Sequence, residues 1–184
     1  TKLSVNINKV ALIRNARGAN FPDLLKFAID CESFGADGIT VHPRPDERHV
    51  RYADLSPLKE VLSTELNVEG YPSEKFINVV LETKPHQCTL VPDPPGVLTS
   101  DQGWDVQREF SFLSNIIQVL RNAGIRTSLF IDPLENQVET AAKVGADRIE
   151  LYTGDYANAY IQDKKKAVGP HERCSLLAQQ CGIM

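Results

Sequence analysis

The sequence predicts an α/β protein with a parallel sheet, and three observations carry that reading. Apolar, β-branched runs alternate with helical patterns from end to end, without hairpin signals between strands. The stretch Phe34-Gly35-Ala36-Asp37-Gly38-Ile39-Thr40-Val41-His42 is answered by Val144-Gly145-Ala146-Asp147-Arg148-Ile149-Glu150-Leu151-Tyr152, with a looser copy at Asn122-Ala123-Gly124-Ile125-Arg126. In each copy a glycine ends a helix and a strand restarts, the join of a β/α solenoid or barrel. Finally, the residues that close the strands are polar throughout, which is where such folds keep their chemistry.

Leu3 to Ile7 reads as the first strand and runs into Asn8 to Gly18, a loop carrying Lys9, Arg14 and Arg17. A helix follows, with Pro22 in its first turn and Leu24, Leu25, Phe27, Ala28, Cys31 and Phe34 at helical spacing. The second strand ends at His42. A short helix over about 56–64, a third strand over 66–69 and a capped helix over 73–84 come next, then a fourth strand over 87–91. Pro92 to Trp104 is the longest irregular stretch, of the kind that serves as a binding lid. The amphipathic segment from Asp105 to Ala123, a strand over 127–131, a helix over 135–144, a strand over 148–152 and a last helix over 171–180 complete the chain.

Six strands fall short of a (β/α)8 barrel, which takes about 250 residues. A doubly wound open sheet is the alternative, although the glycine-rich dinucleotide fingerprint is missing after the first strand. The net charge of −4 argues against nucleic acid and membrane surfaces as partners, since both call for a basic excess. Cys31, Cys88, Cys174 and Cys181 show no C-x-x-C spacing and read as reduced thiols. With neither a signal peptide nor a membrane-length apolar run in the sequence, a cytoplasmic location is expected.

The strand ends nominate the site. His42 suits proton transfer near neutral pH, or a core-edge hydrogen bond to a carbonyl. Glu69, following Leu66-Asn67-Val68, is costly to bury unless it is paired or used. Glu150 alternates with Ile149 and Leu151, so it points either into a barrel or onto the helix layer, where Arg148 or Lys143 would pair with it. Asp132, before Pro133, reads as a helix N-cap. Arg14, Arg17, Arg44 and Arg48 suit phosphate oxygens. His42, Asp46 and His49 match no familiar metal spacing, so no metal is expected.

Taken together, Val5-Asn6-Ile7, Leu12 to Gly18, Gly35 to His42, Leu90-Val91-Pro92 and Ile149 to Gly154 resemble the pyridoxine 5′-phosphate synthase family, from the deoxyxylulose-phosphate-dependent route to vitamin B6. The resemblance implies a (β/α)8 TIM barrel, of which this chain supplies about six β/α units as a single domain over residues 1–184, without the last two units. It implies condensation of 3-amino-2-oxopropyl phosphate with 1-deoxy-D-xylulose 5-phosphate by acid/base catalysis, with no cofactor and in a homo-oligomer. His42 and Glu69 match the family's proton acceptors and Glu150 its transition-state stabilising carboxylate. Asn6 and Arg17 match contacts to the aminoketone phosphate, and Asn8, Lys9, Arg44, His49 and Thr99 contacts to the sugar phosphate. Many members carry Asp-His where this chain has Asn8-Lys9, and the family's proton-donating histidine lies beyond the sixth strand. A metal-assisted phosphosugar epimerase using His42, Asp132 and Glu150, and an inactive fragment, are the competing readings.

Overall fold

A computed structural model describes residues 1–93 and 101–184. Among these residues six strands lie in one sheet, ordered as they occur in the chain, with parallel registers. The described residues fall into two compact units, one of residues 1–88 and the other of residues 89–93 and 101–184.

In the first unit, β1 (Ser4–Asn6), β2 (Gly38–Val41) and β3 (Glu65–Gly70) pair in order. Their side chains alternate as a pleat requires. Ile39, Val41, Leu66 and Val68 are fully buried on one face. The opposite face is polar: the register sets Asn6 beside Thr40 and Thr40 beside Asn67. Ser4 Oγ and Thr40 Oγ1 lie 2.7 Å apart, and Asn67 Nδ2 donates to Thr40 Oγ1 at 3.3 Å. His42 and Glu69 continue this polar face, two residues beyond Thr40 and Asn67.

Residues 8–17, expected as a loop, form the helix α1 (Asn8–Arg17), which ends on Gly18 at φ +69°. The cause is that its inward positions, Ala11 and Arg14, include a charge, while Leu12 and Ile13 face outward. The apolar period that signals a helix is thereby scrambled. α2 (Leu24–Ser33) is capped by Asp23, whose carboxylate accepts from the N–H groups of Leu25 and Lys26 at 2.9 and 3.1 Å. Pro22 therefore precedes the cap instead of occupying the first turn. α3 (Leu55–Val61) and α4 (Glu74–Thr83), the latter capped by Ser73, complete the unit.

The second unit takes up the end of β4 (Gln87–Leu90) and adds α5 (Phe110–Asn122), β5 (Arg126–Ile131), α6 (Glu135–Val144) and β6 (Arg148–Leu151). Trp104 ties the segment ahead of α5 to this sheet: its N–H donates to the Phe130 carbonyl and its Nε1 to the Leu90 carbonyl, both at 2.9 Å. α7 (Gly154–Tyr160), which the sequence reading did not anticipate, follows β6. α8 (Lys164–Gln180) begins seven residues before His171, because Asp163 caps it and Pro170 is accommodated within it. Asp132 does not cap α6; its Oδ1 accepts the Gly103 N–H at 3.0 Å. All four cysteines are free, and no helix among the described residues is long and apolar enough to cross a membrane.

Candidate active site

His42 leaves the end of β2 with its backbone N–H held by Asn8 Oδ1 at 2.8 Å, and Asn8 in turn donates its own N–H to Asn6 Oδ1 at 3.0 Å. Two asparagines at the β1–α1 junction thus fix where the imidazole emerges. The ring is buried, and its Nδ1 lies 3.9 Å from Glu69 Oε2. Between these two atoms that is beyond hydrogen-bond reach, though close enough for their charges to interact. Burial pushes the His42 pKa down to about 3, and the charges of Arg44, His49 and Arg48 push the same way. The ring is therefore neutral at physiological pH and has a lone pair to offer. Within the field of Glu69, the fully buried Cys88 is kept as a thiol by burial and by that carboxylate's charge.

The segment after His42 brings cations to the same place. Arg44 is buried, and the His49 ring packs edge-on to His42 with centroids 6.3 Å apart. His49 Nδ1 accepts the Val50 N–H at 3.0 Å, so in the neutral ring the proton sits on Nε2, which is then a donor. Its pKa is lowered by burial first and then by Arg44 and Arg48. Arg48 is engaged with Asp46 at 3.0 Å.

Not every nominated residue joins this group. Arg14 is no phosphate ligand: it is buried in a bidentate pair with Asp54, both bonds 2.8 Å. Arg17 is exposed at the far end of α1 from Asn8 and Lys9, roughly 14 Å along the axis at 1.5 Å per residue. Lys9 is also exposed. Thr99 lies outside the described residues.

In the second unit, Glu150 stands opposite Phe130 in the β5–β6 register. Ile149 and Leu151 face α8, lining a small cavity with Ala178 and Met184, so Glu150 points away from the helix layer. It keeps access to solvent, while the protein packed around it raises its carboxyl pKa. Among the described residues no three His, Cys, Asp or Glu side chains are grouped as metal ligands.

The model of the family described as pyridoxal phosphate biosynthesis protein PdxJ matches residues 3–184. The chain belongs to the PdxJ family. Relatives named pyridoxine 5′-phosphate synthase include those of Bacteroides fragilis, 57% identical, Bacteroides thetaiotaomicron, 56%, and Christiangramia forsetii, 52%. Each aligns over 183 residues, all of this chain and 77% of the relative's length. Among solved structures the fold is similar to a flavocytochrome b2 variant at TM-score 0.62 and 12% identity, over 99% of this chain and 50% of that one. It is similar to a mandelate oxidase variant at 0.62 and 11%, over 97% and 62%. At such identities the likeness is one of fold alone.

Sequence reasoning did not single out Thr40 and Asn67, which the structure sets side by side on the polar strand face. They form the polar floor from which His42 and Glu69 rise. The signal was present in the alternation Asn67-Val68-Glu69 and Thr40-Val41-His42, but it was hidden by reading β2 as an apolar run. Asn15 was missed as well, since nothing local marks it.

Proposed function

We propose that the chain performs the ring-closing reaction of its relatives. It would condense 3-amino-2-oxopropyl phosphate with 1-deoxy-D-xylulose 5-phosphate to give pyridoxine 5′-phosphate, phosphate and water. The observation that carries the reading is a neutral, buried imidazole 3.9 Å from a carboxylate, near a buried arginine and a second imidazole that offers an Nε2–H. Imine formation, phosphate loss and aldol-type closure are successive proton transfers next to carbonyl or imine carbons. They call for several acids and bases around one ligand instead of one strong nucleophile.

In this reading His42 and Glu69 accept protons, Glu150 stabilises charge in the transition state, and Arg44 and His49 hold the sugar phosphate. A phosphate dianion at Arg44 cancels part of the field that depresses His42, so binding raises its basicity when chemistry needs it. Asn6 and Arg17 serve the aminoketone phosphate, and Asn8, Lys9 and Thr99 the sugar. The same reading takes the working form to be a cytoplasmic homo-oligomer, whose oligomeric state sedimentation of the purified chain tests.

Incubating the chain with both substrates and measuring pyridoxine 5′-phosphate and released phosphate tests the activity. Glu69→Gln is expected to abolish ring closure. Near-normal turnover of that variant overturns the assigned role.

A further inference from the structure

The helix α1 carries, towards its two ends, two attachments of the segment that bears His42, Arg44 and His49. At the first end Asn8 holds the His42 N–H. At the other, Asn15 Nδ2 donates to the His49 carbonyl at 2.7 Å and lies 3.1 and 3.3 Å from the carbonyls of Arg48 and Glu47. Three successive carbonyls converge on one amide.

The orientation of that amide is itself determined. Arg14 Nε donates to Asn15 Oδ1 at 3.2 Å, so the nitrogen must face the loop. Arg14 is held by Asp54, whose Oδ2 also accepts the Arg51 N–H at 2.8 Å, and Arg14 Nη2, which donates to that same oxygen, also lies 3.4 Å from the His49 carbonyl. The segment between has no strand or helix of its own, and Glu47 within it sits at φ +52°. A non-glycine residue in that region is held there by its surroundings. The carbonyls that a regular element would have satisfied are satisfied by Asn15 instead.

We propose that Asn15 is a positioning residue for sugar-phosphate recognition: through the His49 backbone it places the His49 Nε2–H for a phosphate group, and through Glu47, whose N–H donates to the Arg44 carbonyl at 2.9 Å, it steadies the stretch that carries Arg44. This rests on the function proposed above. Its effect is selective, because the Asn15 side chain bonds Arg14 and the carbonyls of Glu47, Arg48 and His49 and touches neither Asn6 nor Arg17, the two residues assigned to the aminoketone phosphate. Asn15→Asp keeps the shape and removes the donors; Asn15→Leu removes donors and acceptor alike.

Steady-state kinetics of both variants, each substrate varied in turn, provides the test, with thermal melts confirming that they fold. The KM for 1-deoxy-D-xylulose 5-phosphate is expected to rise about tenfold, the loss of one well-placed hydrogen bond. The KM for the aminoketone phosphate and kcat should change less than about threefold. Equal rises in both KM values, or no change in either, overturn the inference while leaving the activity itself standing. If the parent chain makes no product, the proposed function fails. The inference is then decided by titrating inorganic phosphate: about tenfold weaker binding by Asn15→Asp supports it, and equal binding overturns it. Amide hydrogen exchange across Glu47–Val50 reads the same brace without any ligand, faster exchange in the variants being expected and unchanged exchange sinking it.

Discussion

His42 concentrates what a single residue contributes. An unfolded chain binds a proton on this imidazole below about pH 6.5, whereas the folded chain refuses it until about pH 3. Between those values the unfolded state holds more protons, so this group's share of stability is present above pH 6.5 and is lost as the pH falls towards 3. The ceiling is about 4 to 5 kcal/mol, at 1.36 kcal/mol per pH unit over that interval. Urea melts of the parent are expected to weaken steadily from pH 6.5 to 4, and those of His42→Asn to weaken less. Identical slopes would show that His42 is not buried as a neutral ring. Nuclear magnetic resonance of its ring protons should reveal no titration between pH 5 and 8 in the free chain and an upward-shifted pKa once inorganic phosphate is added. The position of His42 and Glu69 at strand ends was legible from sequence, because alternation and burial follow from local order. Their 3.9 Å separation was not, since it depends on how β2 and β3 register.

At the scale of elements, α1 is where the sequence misled, and the reason is physical. A helix declares itself through the period of its apolar residues, yet this one turns Arg14 inward and Leu12 and Ile13 outward. The inward arginine is tolerable only because Asp54 meets it with two bonds of 2.8 Å. Removing one partner leaves a buried charge uncompensated, so Asp54→Ala is expected to cost about 3–5 kcal/mol. The double variant Arg14→Met with Asp54→Leu should recover most of that loss in urea melts. If the double variant is no better than the single one, the pair does more than neutralise itself. Gly70, next to Glu69, makes the companion case: a Cβ there would lie 2.3 Å from the buried Phe76 ring. Gly70→Ala should therefore cost about 1–3 kcal/mol by overpacking. α7 and the first turns of α8 went unread because their cues are a lone Asp163 cap and a lysine run interrupted by Pro170, with few apolar positions to set a period.

The feature that runs through the whole molecule is the repeated glycine join, and it explains why the fold was more legible than the site. Gly35 and Gly145 bond back to Glu32 and Ala142, Ala36 and Ala146 to Cys31 and Ala141, and the next aspartates to the start of the preceding strand. Asp37 accepts the Leu3 N–H on its side chain at 2.9 Å and Asp147 the Thr127 N–H at 2.8 Å. Their carbonyls accept from Glu65 and Met184 respectively, setting where the following segment begins. One short motif therefore ends a helix, starts a strand and passes the register on, all through nearest neighbours in sequence and sheet. Such information can be read from a window of nine residues; a site assembled from β1, α1, β2 and β3 cannot. The join depends on glycine because φ is +100° at Gly35 and +96° at Gly145. A methyl group at Gly35 meets nothing within 4 Å, so Gly35→Ala isolates the backbone strain, expected to cost about 1–2 kcal/mol. Gly145→Ala should cost the same or slightly more, since its methyl would lie 3.1 Å from the Arg121 guanidinium. As the two joins share no partner, the double variant should lose the sum of the single costs within about 0.5 kcal/mol. Urea unfolding of the three variants measures this, and a Gly35→Ala chain as stable as the parent would remove positive φ from the account of how the repeat is built.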